Sequence, residues 1–535
     1  MTDFTRLAEV SEEVDRLFAE WDRPDSPGAA VIVTSGKDIV HRGGYGCAQL
    51  EYDIPITPST IFHVASVSKQ FTAFAIAMLA DKGQVSLDDD IRDYFPEIFD
   101  FGQRITIRHL VHHTSGLRDQ WELVKLAGWR MDDVITTEHI MKTVRHQREL
   151  NFEPADEHLY CNTGYTLMAE LVARVTGMSL RDYTETHVFS PLGMDATHFH
   201  HDHEEIVRNR AYSYAPRPEG GFRKSVLSYA NIGATSLFTT VEDLAQWLFN
   251  FDTRKVGGAQ VLEQMHERFV LNDGSTIPYA FGLMFTEHRG AQVIGHSGSD
   301  AGFRSYCARF PEHGLGIAIL SNLATFNPQM MAFKIADRYL DGCLDPQEPP
   351  TAAGPPTESD LEDCTGTYLM GPLGMIEITR EDDHLVLDRT GGPSTPLVPE
   401  GGLRFRAEAQ GQVMRFDRDA DGRVTSFSTL PPGYTMTAER YEPRQVCPED
   451  LAHFAGSYYS EELGTTYTIT PQEDGLLMQH RRHEDATLVA IDDDTFQSLN
   501  GRTGKIRFTR EKGRVTGFLL TGGRVRNLRF DRPES

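Results

Sequence analysis

The chain has 535 residues, 39% of them hydrophobic, so it is globular by composition and long enough for about three domains. Its net charge of −26 disfavours nucleic acid and anionic membranes as partners, and no long apolar run predicts a membrane span. We therefore expect a cytoplasmic protein without a signal peptide, whose six cysteines are buried thiols rather than disulfides or zinc ligands.

The N-terminal part predicts a sheet built from distant segments. Residues 30–33 and 38–41 read as two strands of a hairpin. Helical patterns follow, and strand signals return at 292–295, 306–310 and 315–320. Strands at both ends with helices between them indicate one sheet flanked by helices.

A serine and a lysine three residues apart, Ser66 and Lys69, precede the apolar run 71–80. The run predicts a buried helix that Ser66 opens, with Lys69 one turn on along the same face. Free N–H groups at a helix start favour developing negative charge, and a partly desolvated lysine loses its proton more easily. The pair is typical of an activated nucleophile with an adjacent base.

Tyr160 and Asn162 offer a phenol and an amide on one side of a turn or short loop. A tyrosine held near a lysine can act as a general base. The amide can bond both a substrate carbonyl and Lys69. These two residues are therefore candidates for partners of Ser66.

A histidine-rich segment at 198–203 reads His-Phe-His-His-Asp-His. The same pattern ligates zinc in the metallo-β-lactamase fold, where it closes an early strand and further ligands follow. Here it follows the segment 191–197, which we expect to be a surface loop, and we therefore expect neither a metal nor a cofactor. We expect His112 and His113 to be hydrogen-bonded structural residues beside the site.

A His-Ser-Gly-Ser segment, His296 to Ser299, comes just after the predicted strand 292–295. Gly298 would let a ligand approach the strand backbone closely. The N–H of Ser299 could then pair with the N–H of Ser66 as an oxyanion hole.

The C-terminal part repeats itself after a proline-rich stretch. Gly366-Thr367-Tyr368 matches Gly456-Ser457-Tyr458, and Arg415-Phe416 aligns with Arg507-Phe508. Each copy alternates apolar and polar residues between turn signals, which is typical of a small antiparallel barrel or curved sheet. We predict a catalytic domain, a linker and two sister β-barrel domains, with bounds 1–345, 346–358, 359–445 and 446–535.

The ordered set of Ser-x-x-Lys at 66–69, Tyr-x-Asn at 160–162 and His-x-Gly at 296–298 resembles the signature of the penicillin-recognising serine hydrolases. The class C β-lactamase-like branch is the most similar, over roughly residues 5 to 340. The resemblance implies an α/β (α+β) catalytic domain with an antiparallel sheet flanked by helices. A catalytic domain followed by two barrels resembles the bacterial D-aminopeptidases, to which the segment 115–121 is also similar.

The resemblance also implies a role for each site residue. Ser66 would form the acyl-enzyme, with Lys69 and Tyr160 moving protons and the Ser299 N–H stabilising the oxyanion. The substrate would be bound by four further residues, Asn162, His296, Ser297 and Gly298. In D-aminopeptidases a loop of the last barrel reaches the active site, and the segment 481–484 is the candidate here.

One departure concerns the substrate. His296 stands where true class C β-lactamases carry lysine, and histidine there looks like the esterase and D-aminopeptidase members. We therefore expect a hydrolase of a small amide or short peptide. An esterase, a β-lactamase, a thioesterase or acyltransferase and a non-turnover ligand-binding relative stay open as alternatives, as does a homodimer.

Overall fold

The computed structural model describes residues 4–346, 354–371, 374–389, 394–407, 412–430, 436–442, 444, 446–499 and 503–533. Most of the predicted linker, residues 347–353, lies outside these ranges. By its internal contacts the chain divides into a first unit (1–117, 131–145 and 152–346) and a second unit (118–130, 146–151 and 347–535). Among the helices of the described ranges, none combines the length and apolar character needed to cross a membrane.

The first unit is built on a central sheet of six antiparallel strands, as the sequence predicts. The N-terminal strand pairs with the last one along its whole length, from Ala29 opposite Ser321 to Ser35 opposite Leu315. The strands lie in the order Met284–His288, Ala291–Asp300, Phe303–Phe310, Leu315–Ser321, Ala29–Ser35 and Asp38–Tyr45.

Helices cover both faces of the central sheet. Phe4–Leu17 and Pro328–Tyr339 pack on one face, and Val241–Thr253 packs on the other. The two middle strands are therefore buried almost throughout, which explains their continuous runs of Val, Ile, Leu and Ala. The other α-helices of this unit are Ser68–Asp81, Ile91–Tyr94, Ile107–Val111, Thr137–His146, Asn162–Thr176, Leu180–Thr184, Ser190–Leu192 and Gly258–Gln264, with a π-turn at Glu185–Phe189 and 3₁₀ turns at Leu50–Tyr52, Ala65–Val67 and Pro311–His313.

A three-stranded sheet lies beside this core, with Leu237–Thr239 between Phe62–His63 and His198–Phe199. The histidine-rich segment 198–203 begins in this sheet, because His198 and Phe199 pair with Phe238 and Leu237. The segment 191–197, expected as a surface loop, begins with the last residues of the helix Ser190–Leu192. Short strand pairs complete the first unit: Ile135–Thr136 with Tyr229–Ala230, Cys47–Gln49 with Ile54–Pro55, and Tyr214–Pro216 with Phe222–Lys224.

The second unit contains two closed antiparallel barrels of eight strands each, which confirms the predicted repeat. The first barrel consists of Gly366–Leu369, Met375–Glu381, His384–Arg389, Thr395–Gly401, Arg404–Ala407, Val413–Arg418, Val424–Thr429 and Thr437–Arg440. The second consists of Gly456–Ser460, Thr465–Gln472, Gly475–Gln479, Ala486–Ala490, Thr495–Ser498, Lys505–Glu511, Arg514–Gly522 and Val525–Asp531. Helices Glu358–Cys364 and Pro448–Leu451 precede the first strand of each barrel.

The repeated Gly-x-Tyr segment has the same structural role in both barrels. Tyr368 donates its hydroxyl hydrogen to the carbonyl of Cys364, and Tyr458 donates to the carbonyl of Phe454. An arginine from the end of each repeat, Arg440 or Arg532, then packs over the tyrosine ring. Equivalent contacts in both copies support their interpretation as duplicated modules.

The second unit also includes a helix from far earlier in the chain. Gln120–Leu126 belongs to this unit, and its Leu123 and Leu126 join the apolar core of the second barrel. The hydroxyl of Tyr467 donates to the Leu126 carbonyl at 3.0 Å. The predicted domain bounds place this helix in the catalytic domain, and those bounds stay a prediction.

All six cysteines lie within the described residues as free thiols, and four of them are buried. Cys343 and Cys447 are exposed, so the expectation of six buried thiols is wrong for these two.

Candidate active site

Ser66 lies in a sharp turn between a short strand and a buried helix. It is the middle residue of the 3₁₀ turn Ala65–Val67, and the α-helix begins two residues later, at Ser68. The sequence prediction placed Ser66 at the start of this helix, whereas the structure places it in the turn before. Ala65 holds a φ of +47°, a left-handed conformation that is strained for a residue with a side chain.

Hydrogen bonds from three directions hold this turn in place. The Ser68 hydroxyl donates to the Ala65 carbonyl at 2.5 Å and accepts from the N–H of Leu237. The Ser305 hydroxyl donates to the Val64 carbonyl at 2.7 Å. The strained backbone is therefore fixed by its surroundings, and Ser66 itself is left half-buried.

Lys69 is completely buried, which goes beyond the partial desolvation that the sequence predicts. Its Nζ donates to Ser66 Oγ at 3.0 Å, to Asn162 Oδ1 at 2.8 Å and to the Ala234 carbonyl at 2.7 Å. The apolar helix Ser68–Asp81 brings the amine into the core, and these oxygens compensate for the lost water. The structure thus joins three sequence-predicted residues in one hydrogen-bonded group.

Tyr160 completes this group from the other side. Its half-buried ring lies with its centroid 4.8 Å from Lys69 Nζ and 4.3 Å from the ring of His113. Asn162, two residues on, begins the helix Asn162–Thr176, so that only Tyr160 lies in the loop that the sequence predicts. The Tyr-x-Asn segment therefore places its phenol and its amide around the same amine.

His113 and His112 behave as the structural residues that the sequence suggests. His113 Nδ1 accepts from the N–H of Cys161 at 3.0 Å, which fixes the loop that carries Tyr160. Burial and the nearby Lys69 hold the pKa of His113 well below its ordinary value, so its ring is neutral. His112 contacts two backbone carbonyls, those of Arg108 and Glu267, at 2.9 Å each.

The His-Ser-Gly-Ser segment lies inside the long strand Ala291–Asp300, not after a strand as predicted. A side chain on Gly298 would overlap the Val64 carbonyl and reach within 3.1 Å of the Ala65 Cβ. Glycine is required here because the strand backbone presses against the turn that holds Ser66. The sequence prediction assigned this close approach to a ligand, whereas in the structure the neighbour is the turn that contains Ser66.

His296 is buried and uncharged. Burial and the nearby Lys69 lower its pKa to about 3. Its Nε2 lies 3.2 Å from the hydroxyl of Tyr279, and its Nδ1 lies 2.5 Å from the carbonyl of Ser297. The ring therefore offers a substrate carboxylate no positive charge at neutral pH, in contrast to the lysine of β-lactamases.

Sequence reasoning missed a second chain of hydrogen-bonded polar groups beside the turn that contains Ser66. His63 Nδ1 accepts from the Ala65 N–H, so its Nε2 carries the proton that faces Thr235 Oγ1 at 3.2 Å. Thr235 in turn donates to Asp300 Oδ2 at 2.9 Å. The Asp300 side chain is 15% exposed, and burial raises its pKa to about 6.

Two further residues, Tyr279 and Ala234, were also missed. Tyr279 packs its ring 4.7 Å from that of His113 and bonds His296, and Ala234 contributes only a carbonyl. A backbone carbonyl leaves no mark in a sequence, and Tyr279 lies in no motif. Asp300 directly follows Ser299 in the sequence, and this position was the one signal that could have indicated Asp300 as a site residue.

Comparisons with known proteins agree with the family resemblance that the sequence motifs indicate. The family model described as beta-lactamase matches residues 14–339. A D-aminopeptidase of Gluconobacter oxydans is 27% identical over 444 residues, which are 82% of this chain and 80% of that protein. Penicillin-binding protein 4* of Bacillus subtilis is 27% identical over 450 residues, 80% of this chain and 98% of that protein.

Solved structures show the same fold at lower identity. The octameric penicillin-binding protein homologue from Pyrococcus abyssi is 23% identical and has a TM-score of 0.57, with 82% of this chain and all of that chain covered. The D-amino acid amidase from Ochrobactrum anthropi is 21% identical and has a TM-score of 0.53, with 64% of this chain and all of that chain covered.

Proposed function

This chain belongs to the beta-lactamase family and is a serine hydrolase, and we propose that it cleaves a small amide or short peptide through an acyl-enzyme on Ser66. The observation that carries the proposal is the buried Lys69 amine, 3.0 Å from a half-buried serine hydroxyl. A nucleophile in contact with a base that is itself held by other groups is the arrangement that covalent catalysis requires.

In the proposed acylation, Ser66 Oγ bonds to the substrate carbonyl carbon and gives its proton to Lys69 Nζ. For this step Lys69 first loses the proton that it donates to Ser66. Two N–H groups still donate to Asn162 and to the Ala234 carbonyl, and the lone pair then faces Ser66. Tyr160, beside the amine, gives its phenol proton to the leaving nitrogen as the carbon–nitrogen bond breaks, and protonated Lys69 replaces that proton.

The oxyanion formed in this step is assigned to the backbone N–H groups of Ser66 and Ser299. The contact of Gly298 with the turn Ala65–Val67, which we call the nucleophile turn, supports this assignment, because it brings the two backbones together. One such donor typically contributes about 10²- to 10³-fold to kcat. In deacylation a water molecule attacks the ester, and its proton returns through Tyr160 and Lys69 to Ser66.

We assign the amino group of the substrate to Asp300. The carboxylate follows Ser299 in the strand and is partly exposed. Because burial makes its ionised form costly, a substrate ammonium would be a favourable partner. A free amino end agrees with relatives named D-aminopeptidase and leads to a D-aminopeptidase-like activity as the proposed function.

The proposal for the remaining residues follows the same geometry. Asn162 orients both Lys69 and the substrate, while the Ser297–Gly298 backbone binds the substrate as an added strand. Neutral His296 supports Tyr279 and shapes the pocket. A cytoplasmic location and a homodimer stay predictions.

The experiment compares D-alanine p-nitroanilide, its L enantiomer, N-acetyl-D-alanine p-nitroanilide and p-nitrophenyl acetate. We expect sustained turnover of the free D-amide, far faster than that of the L or acetylated forms. Equal rates for D and L would remove the D-aminopeptidase proposal. Turnover of the ester alone would establish the esterase alternative, and a single burst without turnover would establish the ligand-binding one.

A further inference from the structure

A cluster of metal-binding side chains lies outside the proposed active site. We call His198, His200 and Glu205 the His–Glu cluster; one ligand atom from each lies within 4.8 Å of the others. His198 and His200 are two residues apart at the strand His198–Phe199, so extended backbone points both rings to one side. Glu205 comes from the following loop.

The ring nitrogens of the cluster have unmet hydrogen-bonding capacity. His198 Nε2 and His200 Nδ1 are buried and have no hydrogen-bond partner within the described part of the chain. The nearest polar contact of His200 Nδ1 is Glu205 Oε2, at 3.5 Å. A buried polar atom without a partner costs folding free energy, so two converging ones call for a ligand.

Both rings of the His–Glu cluster are also held in a fixed orientation. Phe238 packs against both rings, with centroid distances of 5.8 and 4.5 Å, and so limits their rotation.

Glu205 is held in place by a second contact. Arg181 donates to both of its carboxylate oxygens, at 2.6 and 2.8 Å, and each oxygen retains a lone pair. Ligating carboxylates are commonly oriented by such outer hydrogen bonds. Two imidazole donors disfavour Ca²⁺ and Mg²⁺, which prefer oxygen ligands.

We propose that the His–Glu cluster binds one zinc ion, with water in the fourth position. Two imidazoles and one carboxylate are a donor set that zinc accepts in tetrahedral geometry. The ion would join the strand His198–Phe199 to the loop at Glu205. Through the neighbouring strand Leu237–Thr239 it would stabilise Phe62–His63, which leads into the nucleophile turn.

The proposed ligands differ from those that the sequence pattern suggests. Asp202 and His203 belong to the pattern, yet both are exposed on the loop beyond the strand. Glu205 lies outside the pattern. The prediction of no metal rested on the position of the whole motif, whereas the structure selects two of its histidines and adds a glutamate.

The test uses the full-length protein, freed of metal with a chelator and titrated with Zn²⁺ and with Co²⁺ as a spectroscopic probe. We expect one equivalent of zinc to bind, visible absorption bands from bound Co²⁺, and a higher thermal unfolding temperature with zinc. His200→Ala and Glu205→Gln should abolish all three effects. The double variant His201→Ala/His203→Ala removes neighbouring exposed histidines and should retain them.

Circular dichroism of the metal-free variants verifies that they are folded. Failure of the metal-free wild-type protein to bind one equivalent of zinc in the titration would overturn the proposal. Zinc binding that survives in folded Glu205→Gln and His200→Ala, or that disappears in the exposed-histidine variant, would also overturn it.

Discussion

The buried residue Lys69 is the base on which the proposed reaction depends. Its amine has no access to water and contacts a hydroxyl, an amide oxygen and a backbone carbonyl. The sequence predicted that Lys69 contacts Ser66 and Asn162, because the helical spacing of Ser66 and Lys69 and the order of the motifs can be read from the sequence. It could not predict the Ala234 carbonyl, 165 residues away, because any residue could supply that atom.

The first prediction concerns this amine. Lys69→Met keeps the length and apolar stem of the side chain but removes the base, so kcat should fall by about 10²- to 10⁴-fold. The unfolding temperature should also fall, because Asn162 and the Ala234 carbonyl lose their donor. Steady-state kinetics and thermal unfolding measure both effects. Lys82→Met, an exposed lysine at the other end of the same helix, is the control and should change neither. Unchanged kcat in Lys69→Met would exclude the proposed base.

The second prediction concerns Asp300 as the anchor for the substrate ammonium. Asp300→Asn should raise KM for D-alanine p-nitroanilide about 10- to 100-fold, the cost of losing a hydrogen bond to a charged group. KM for p-nitrophenyl acetate, which carries no amine, should stay constant. An equal rise in KM for both substrates would instead assign Asp300 a purely structural role.

The raised pKa of Asp300 also makes a prediction about stability. A carboxyl group whose pKa is about 6 when folded and 3.8 when unfolded stabilises the fold below pH 4, and this contribution is lost as pH rises through 6. The neighbouring His63 stays neutral throughout, because burial holds its pKa well below the ordinary value. Asn cannot ionise, so the unfolding temperature of Asp300→Asn relative to wild type should rise between pH 4 and pH 8. A difference in unfolding temperature between Asp300→Asn and wild type that does not change with pH would contradict the raised pKa of Asp300.

At the scale of elements, the decisive contact is between the strand Ala291–Asp300 and the nucleophile turn. Alternation and apolar runs predicted the central sheet, since those patterns are local. The strand at His198–Phe199 was missed because it is only two residues long and its pairing with Leu237–Thr239 depends on the tertiary fold. The sequence predicted a close approach to the strand backbone at Gly298. It did not predict that the approaching group is the nucleophile turn.

Gly298→Ala tests this contact. The added Cβ would overlap the Val64 carbonyl, so the strand and the turn must separate and the two oxyanion donors move apart. We expect kcat to fall by about 10²-fold or more, as when one donor is removed. Gly354→Ala is the control, because nothing lies within 4 Å of its Cβ and its backbone is unstrained. Full activity in Gly298→Ala would show that this contact does not organise the oxyanion hole.

At the scale of the whole molecule, the second unit is stabilised by a buried ion pair between residues far apart in sequence. The Arg118 side chain is 1% exposed and donates to both carboxylate oxygens of Glu462 at 2.7 Å. It also donates to the carbonyls of Arg526 and Asn527. No local pattern could predict this pairing across 344 residues, because it depends on the tertiary fold.

Removing one partner of this pair should destabilise the second unit strongly. Arg118→Met should lower the free energy of unfolding by about 3–5 kcal/mol, because it removes the ion-pair partner of the buried Glu462 carboxylate. Glu462→Leu should cost less, because Arg118 keeps its ion pair with Glu149 at 3.4 Å. The double variant should lose less than the sum. Arg529→Met, which removes an exposed ion pair with Asp531, is the control and should cost less than about 1 kcal/mol. Chemical denaturation followed by circular dichroism measures these values; strictly additive or negligible losses would contradict the structural role.

The central claim is that Ser66 forms an acyl-enzyme, and rapid-quench mass spectrometry of the intact protein tests it most directly. During turnover of D-alanine p-nitroanilide, we predict a mass increase equal to one acyl group, located by peptide mapping to the tryptic fragment that contains Ser66. Folded Ser66→Ala should show neither the adduct nor turnover. An adduct on another residue, or undiminished hydrolysis by Ser66→Ala, would contradict the account.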